Sequence, residues 1–247
     1  MKVAMLQVED RTDPYLEVCI LRNKLYCSKY GIDHVMIRRG LEEYPPYWWK
    51  VVYLYKLMLE NKHDVVVWMD SDAFVYDDNR DVRSFFTESS DSMLICPDPP
   101  SWGSDFMAAV FMIKNNDKGK EIIKKWLSYY NPFRWMKVNE KWYCNGPWAG
   151  IDYEQGSFAK LILPEYKNTI KTLPWYTFHE IDCIEPHTNT WSIHIPTAVK
   201  YKRYLCESTI NINENIELRH VVIFVTMTIL FFVTMLIIAY LCCRDKY

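Results

Sequence analysis

Two aspartates separated by one residue follow an unbroken apolar run. Asp70, Ser71 and Asp72 come directly after the letters VVVWM at Val65–Met69, which predict a buried strand. Two carboxylates held this close repel one another unless a cation lies between them. Hard divalent ions such as Mn²⁺ and Mg²⁺ prefer oxygen ligands and share them with phosphates. The pair therefore predicts a metal-bound diphosphate, and the alternative is that both acids cap the following turn.

Further polar residues are candidates for contact with such a ligand. Lys50 follows the aromatic residues Tyr47–Trp49 and could reach a phosphate or a hydroxyl; the alternative is a solvated helix lysine. Glu154 and Gln155 open a later predicted helix and could orient sugar hydroxyls, although acidic charge there also complements the helix dipole. His194 lies among apolar residues, where a hydrogen-bonded core histidine is the usual interpretation.

Composition narrows the class of protein. Of 247 residues, 50% are hydrophobic and 24% are charged, which excludes disorder. Basic residues number 29 against 31 acids and form no run, so we expect no nucleic-acid partner. The seven glycines form neither G-x-G-x-x-G nor G-x-x-x-x-G-K, which excludes those two phosphate loops. The 10 Trp and 18 Tyr suit both a core and flat ligands such as sugars.

Alternating strand and helix signals predict the scaffold that positions these residues. The predicted elements are strands at 2–8, 34–38, 64–70 and 106–113 and helices at 13–30, 47–61, 117–130 and 152–163. Asp13 is a candidate N-cap of the first helix, and Gly31 closes it. The β-α-β-α-β order favours an α/β fold with a mostly parallel sheet. Ligands of such sheets bind beyond the carboxyl ends of the strands, which here lie near Val8, Arg38 and Met69.

The last apolar segment predicts one C-terminal transmembrane helix. Val221–Cys242 has 22 residues without a charge; as a helix it would be about 33 Å long, enough to cross roughly 30 Å of hydrocarbon. The predicted divisions are a catalytic domain at 1–205, a linker at 206–220, the membrane helix at 221–242 and a tail at 243–247. Because Met1–Asp10 lacks the pattern of a secretory leader, we expect a single-pass, tail-anchored protein with its catalytic domain in the cytosol.

Cysteine usage favours free thiols. The eight cysteines include no C-x-x-C pair, and a chain of this size does not need covalent staples to fold. We therefore expect reduced cysteines, in keeping with a cytosolic domain.

Several motifs occur together in the order and spacing of a known family. They are N-K-L-Y-C-S-K-Y-G at 23–31, W-W-K at 48–50, K-L-M-L-E at 56–60, V-W-M-D-S-D-A at 67–73, A-V-F-M-I-K-N at 109–115, E-Q at 154–155 and I-H-I-P at 193–196. Over residues 1–203 the chain resembles glycosyltransferase family 34, the galactosyltransferase family. The resemblance implies a GT-A fold with a Rossmann-like, mixed, mostly parallel sheet. It also implies retaining transfer of galactose, xylose, mannose or glucose from a nucleotide-sugar, UDP-linked, to a glycan or glycoprotein acceptor.

The resemblance also assigns roles to particular residues. The positions that match or adjoin the family's donor and metal site are Lys50, Asp70, Ser71, Asp72, Glu154, Gln155 and His194, with Val8 at the end of the first strand. The residues implied to hold Mn²⁺, or Mg²⁺ in its place, are Asp70, Asp72 and His194. Glu154 and Gln155 would line the sugar pocket, and Lys50 would face the donor. Met107–Ala109 replace the family's Asn-Thr-Gly, which leaves the identity of the sugar open.

Two other functions stay open on the residues alone. An aspartyl-phosphate phosphohydrolase also ends a strand in D-x-D, with the first aspartate as nucleophile, although Phe74 stands where that class has Thr or Val. A non-catalytic, membrane-tethered sugar-binding module would account for the many Trp and Tyr residues.

Overall fold

The computed structural model describes residues 1–87, 90–196, 199, 202–203 and 206. The chain divides into two compact units, Met1–Arg203 and Tyr204–Tyr247, and only Cys206 of the second unit is described. The predicted membrane helix and tail, and all but the first residue of the predicted linker, therefore lie outside the described residues. Within the described part of the chain, no helix combines the length and the apolar character needed to cross a membrane.

The described residues form ten strands and seven α-helices. The strands are β1 (Val3–Val8), β2 (Asp33–Ile37), β3 (Val65–Met69), β4 (Ala73–Val75), β5 (Met93–Ile95), β6 (Val110–Lys114), β7 (Trp135–Val138), β8 (Lys141–Cys144), β9 (Ile170–Thr172) and β10 (Ser192–His194). The α-helices are α1 (Pro14–Tyr30), α2 (Pro46–Leu59), α3 (Ser84–Thr87), α4 (Asp117–Leu127), α5 (Glu154–Ser157), α6 (Leu163–Tyr166) and α7 (Tyr176–His179). A 3₁₀ turn at Pro132–Arg134 precedes β7, and a π-helical turn at Phe158–Ile162 joins α5 to α6.

Six strands form the central sheet in the order β2-β1-β3-β6-β5-β9. Neighbouring strands pair in parallel except at β6, which is antiparallel to both β3 and β5. The prediction of an α/β fold with a mixed, mostly parallel sheet is confirmed. The carboxyl ends of β1, β3 and β5 therefore meet at one edge of the sheet, the edge where ligands bind in this architecture.

Strand β3 lies in the middle of the sheet, and its sequence shows why. All five of its residues are buried, because helices cover both faces. Val66 and Trp68 enter a core with α2 and α4, whereas Val67 and Met69 face a second core that includes part of α1. This alternation follows from the period of two in a strand and fixes the direction in which β3 delivers the next residue, Asp70.

The predicted helices form close to their expected limits, with one internal difference. The Asp13 side chain caps α1 by accepting a hydrogen bond from Tyr15 N at 3.0 Å, and Gly31 ends the helix in the left-handed region at φ 60°. The helix expected at 152–163 begins at Glu154 and contains the π-helical turn. The strand expected at 106–113 begins only at Val110.

Two small sheets accompany the central one. Strand β10 pairs antiparallel with β4, which places His194 opposite Ala73. Strands β7 and β8 form a separate two-stranded hairpin.

The expectation of reduced cysteines is wrong for two residues. Cys183 and Cys206 each take part in a disulfide bond, whereas Cys19, Cys27 and Cys96 are buried free thiols. Local spacing could not show this, because a disulfide depends on proximity in the folded chain and not on a C-x-x-C pair.

Candidate active site

The carboxylates of Asp70 and Asp72 lie at the carboxyl end of β3. Asp70 N donates to Ala109 O at 2.7 Å, and Ala73 N donates back to Asp70 O at 3.0 Å, so the chain turns tightly from β3 into β4. His194 joins them from β10. One ligand atom from each of the three side chains lies within 4.8 Å of the other two. The structure thus brings together the three residues that the family resemblance implies as metal ligands.

His194 reaches the site through the pairing of β10 with β4. Its Nε2 lies 3.3 Å from Asp72 Oδ1, and its side chain is 5% exposed. Nδ1 is buried without a hydrogen-bond partner among the described residues. His194 therefore lies beside the aspartates, and its role as a metal ligand, which the resemblance implies, stays a prediction.

Lys50 is a buried bridge and not the solvated helix lysine of the alternative interpretation. Its Nζ lies 3.1 Å from Asp70 Oδ1 and 3.4 Å from Glu154 Oε1, and it donates to Ala108 O at 3.0 Å. The side chains of Lys50 and Glu154 are only 8% and 6% exposed. One cation thus holds two carboxylates that come from distant parts of the chain.

The charges of the site shift each other's protonation. Burial raises the pKa of Asp70 above its usual value, and the ammonium of Lys50 opposes that shift. Burial acts on Asp72 in the same sense, but His194 and Arg203 outweigh it and hold the pKa of Asp72 below its usual value. Burial disfavours the charged form of Lys50, yet Asp70 and Glu154 together raise its pKa. Asp72 is therefore the acid that stays ionised most readily.

Gln155 lies next to Glu154 and contacts the backbone opposite. Its Oε1 accepts a hydrogen bond from Ala108 N at 3.2 Å, and the carbonyl of the same Ala108 accepts from Lys50. The backbone of Ala108 therefore bonds to both residues: its N–H donates to Gln155, and its carbonyl accepts from Lys50. These contacts do not depend on the Ala108 side chain, which stands within the segment where the family motif differs.

Ser71 and Val8 both lie near Glu9, at the end of β1. Ser71 is buried, and its hydroxyl donates to Glu9 Oε2 at 2.5 Å. Glu9 in turn accepts two side-chain hydrogen bonds from Arg11, at 2.8 and 2.7 Å. Val8 ends β1 directly before Glu9 and is half-buried. The Ser71 hydroxyl thus holds the D-S-D turn against the end of β1.

Arg203 is a site residue that sequence reasoning missed. Its Nη2 donates to Asp72 Oδ2 at 2.7 Å and its Nε donates to Ile195 O at 2.9 Å. Its guanidinium also lies over the ring of Tyr15, 4.9 Å from the centroid. The only signal in the sequence is the group of basic residues that follows His194.

Two further buried groups near His194 were also missed. Asp98 follows β5, which runs parallel to β3, so it reaches the same edge of the sheet. Burial raises the pKa of Asp98 to about 6. The ring of His179 lies 5.9 Å from that of His194, and burial lowers its pKa well below the usual value. The signal for Asp98 was its place three residues after the apolar strand β5.

The fold is similar to that of a solved glycosyltransferase. A glycosyltransferase involved in glycosylation of the major capsid of PBCV-1 superposes with a TM-score of 0.65 at 17% identity, over 84% of this chain and 100% of that chain. A Drosophila β1,4-galactosyltransferase 7 in complex with manganese, UDP-Gal and xylobiose gives a TM-score of 0.46 at 12% identity, over 82% of this chain and 74% of that one. No family model matches the chain, and no curated protein does.

The first similarity defines a class by its fold. The chain has a GT-A-like glycosyltransferase fold, with an Asp-Asp-His group at the ligand edge of its sheet. At this identity the likeness establishes the architecture alone. Membership of glycosyltransferase family 34 stays a prediction.

Proposed function

We propose that the chain is a metal-dependent, retaining glycosyltransferase. It would transfer a sugar from a UDP-linked nucleotide-sugar to a glycan or glycoprotein acceptor. The observation that carries the proposal is the cluster of Asp70, Asp72 and His194, whose ligand atoms lie within 4.8 Å of one another at the ligand edge of a glycosyltransferase-like fold.

The donor set fits a divalent cation. Two carboxylates and one imidazole offer the oxygen-rich set that suits Mn²⁺, with Mg²⁺ as the second choice. Asp72 is held ionised by His194 and Arg203, so it is ready to act as a ligand at neutral pH. A bound metal would stabilise the charge that develops on the leaving diphosphate.

The remaining residues of the site would position the donor and the acceptor. Lys50 fixes the carboxylates of Asp70 and Glu154, and Gln155 is tied to the backbone at Ala108. Such fixed polar groups orient sugar hydroxyls, and positioning supplies much of the rate in group transfer. We favour a same-face route in which the leaving phosphate accepts the proton of the acceptor hydroxyl, because it needs no protein nucleophile.

A donor screen tests this function. UDP release is measured with UDP-galactose, UDP-xylose and UDP-glucose, and GDP release with GDP-mannose, each with Mn²⁺, Mg²⁺ or chelator. We expect release with one donor and a metal, no release in chelator, and at least about a 100-fold loss in Asp72→Asn. The exposed Asp78→Asn variant controls for loss of a carboxylate and should keep full activity.

Two further measurements separate the alternative functions. Phosphate release from a phosphate monoester, without any nucleotide release, would favour the phosphohydrolase. Sugar binding that survives both chelator and Asp72→Asn, with no turnover of any donor, would favour the non-catalytic module.

We also propose that Val221–Cys242 anchors the domain to a membrane. The sequence favours a cytosolic domain, whereas the disulfide bonding of Cys183 and Cys206 favours an oxidising compartment. Protease digestion of sealed microsomes decides between them. Digestion of the domain supports the cytosolic placement, and protection overturns it.

A further inference from the structure

An exposed indole stands beside the charged site on an aromatic cluster. Trp148 is 71% exposed, yet its ring packs edge-on against two tyrosines. The ring centroids lie 5.5 Å from Tyr47 and 5.0 Å from Tyr153. These two tyrosines also contact Trp135, which is buried beneath them. Trp148 is therefore oriented by the cluster while most of its surface is left open to a ligand.

The loop that carries Trp148 is held rigidly. The carbonyl of Asp152 accepts hydrogen bonds from the indoles of Trp48 at 3.1 Å and Trp135 at 3.2 Å. The carboxylate of Asp152 accepts two further bonds from Arg134, both at 3.2 Å. The exposure of the Trp148 indole is therefore not the result of a loosely attached loop.

Backbone strain lies directly after Trp148. Ala149 adopts φ 52°, in the left-handed region that disfavours residues with a Cβ. Strain of this kind persists only where the surroundings over-determine the backbone, and it is concentrated at ligand sites. The loop therefore holds an apolar ring in water, on a strained backbone, where folding alone gains little from either feature.

The cluster borders the proposed donor site through two short links. Tyr47 lies three residues before Lys50 in α2, and Tyr153 directly precedes Glu154. Lys50 and Glu154 are themselves in contact at 3.4 Å. A ligand that packs on Trp148 would therefore lie next to the polar groups of the site.

We propose that Trp148, backed by Tyr47 and Tyr153, forms the acceptor subsite and receives one pyranose ring of a glycan acceptor. This inference rests on the proposed glycosyltransferase function and names its second substrate class. A pyranose ring has an apolar face of C–H groups that packs on an aromatic ring, and hydroxyls at its rim that need polar partners. Trp148 supplies the first surface, and the polar groups of the neighbouring site would supply the partners of the hydroxyls.

The alternative is that Trp148 contacts a lipid surface, which would involve more exposed side chains than an acceptor subsite does. Phe133 is 93% exposed on the turn before β7, and Met136 and Tyr143 are exposed on the hairpin. Membrane contact would use these side chains together with Trp148. An acceptor subsite uses only the ring that is fixed beside the polar site.

The test compares Trp148→Ala, Trp148→Phe and the matched control Phe133→Ala in the full chain. Acceptor KM and kcat are measured with xylobiose, lactose and cellobiose, and the Kd of UDP with Mn²⁺ is measured by calorimetry. We expect Trp148→Ala to raise the acceptor KM about tenfold or more, since it removes the stacking surface. Trp148→Phe should restore part of the loss, and neither the UDP Kd nor the KM of Phe133→Ala should change.

Two results would overturn the subsite. One is an unchanged acceptor KM in Trp148→Ala; the other is an equal loss in Phe133→Ala together with weaker binding to anionic lipid vesicles, which would indicate a membrane surface. If the wild-type chain turns over no donor, the proposed function fails separately. Saturation-transfer NMR with xylobiose then still decides whether Trp148 binds a sugar ring.

Discussion

The first part of the chain, residues 1–75, and the later part, residues 90–196, position their site residues on elements of different length. In the first part, Lys50 lies in the 14-residue α2, and Asp70 directly follows the five-residue, fully buried β3. In the later part, Glu154 opens a four-residue helix and His194 ends a three-residue strand. Short elements have little periodic apolar surface, so something other than burial of a face must fix them.

Hydrogen bonds to the backbone fix the later part. The indole of Trp126 donates to Glu154 O at 2.9 Å, and the hydroxyl of Ser192 donates to Phe178 O at 2.8 Å. In the first part, by contrast, the residues of β3 are held by apolar packing on both faces. Loss of a polar group should therefore move the site more in the later part than in the first.

Lys50 joins the two parts, and its removal should give the largest effect. Lys50→Met leaves the buried carboxylates of Asp70 and Glu154 without their cation. Removal of one partner from a buried ion pair costs about 3–5 kcal/mol. We expect a loss of that size in the free energy of unfolding, measured by urea denaturation at pH 7.

An exposed ion pair supplies the control for Lys50. Lys118 contacts Glu121 at 2.5 Å on the surface of α4, and because water screens this exposed pair, Lys118→Met should cost far less stability than Lys50→Met. Equal, small losses in the two variants would show that the buried bridge does not tie the two parts together.

Trp126→Phe should separate the later part from the first. The variant keeps an aromatic ring but loses the indole bonds to Glu154 O at 2.9 Å and Ser157 Oγ at 3.2 Å. We expect a loss of about 1–3 kcal/mol in stability, because two buried hydrogen bonds are lost, although Glu154 O keeps the bonds from Ser157 Oγ and Phe158 N. We also expect slower sugar transfer, since the backbone of Glu154 loses one of its hydrogen bonds. Urea denaturation and the nucleotide-release assay measure the two effects.

Trp49→Phe is the matched variant in the first part. Trp49 Nε1 donates to Leu41 O and Tyr44 O, at 3.1 and 2.8 Å, away from the carboxylates. Stability should fall, whereas the transfer rate per folded molecule should not. A similar loss of rate in both tryptophan variants would contradict the contrast.

Asp98→Asn should give the smallest effect, and one that depends on pH. Burial raises the pKa of Asp98 to about 6, so the folded chain binds this proton more tightly than the unfolded chain, in which the pKa is about 4. Stability contributed by the protonated acid is therefore lost as the pH rises from about 4 to 6. We expect the variant to lose less of its Tm than the wild type between pH 4.5 and 7.5, measured in chelator.

The exposed Asp78→Asn variant controls for the loss of one carboxylate in that experiment. Parallel Tm-against-pH curves for Asp98→Asn and the wild type would show that Asp98 does not titrate in this range.

Local sequence signals explain which parts of the fold could be predicted from the sequence. The cap at Asp13, the left-handed stop at Gly31 and the buried run of β3 are local signals, and the structure shows all three. The D-S-D segment could be placed at the ligand edge because a parallel sheet brings the carboxyl ends of its strands together.

The contacts that complete the site are not local. His194 faces Asp72 only because β10 pairs with β4, more than one hundred residues away in sequence, and three-residue strands give no periodic signal. Arg203 reaches Asp72 over a similar separation. The bond from Ser71 to Glu9 depends on the packing of β3 beside β1. Pairings of this kind depend on the folded chain as a whole, which is why residue types alone could not show them.

Titration of Mn²⁺ into the full chain, followed by the electron paramagnetic resonance signal of the free ion, tests the central claim most directly. We predict one Mn²⁺ per chain, bound more tightly when UDP is present, and an affinity about 100-fold lower in Asp72→Asn and in His194→Ala. Wild-type affinity for Mn²⁺ in both variants would contradict the assignment of Asp70, Asp72 and His194 as the metal site.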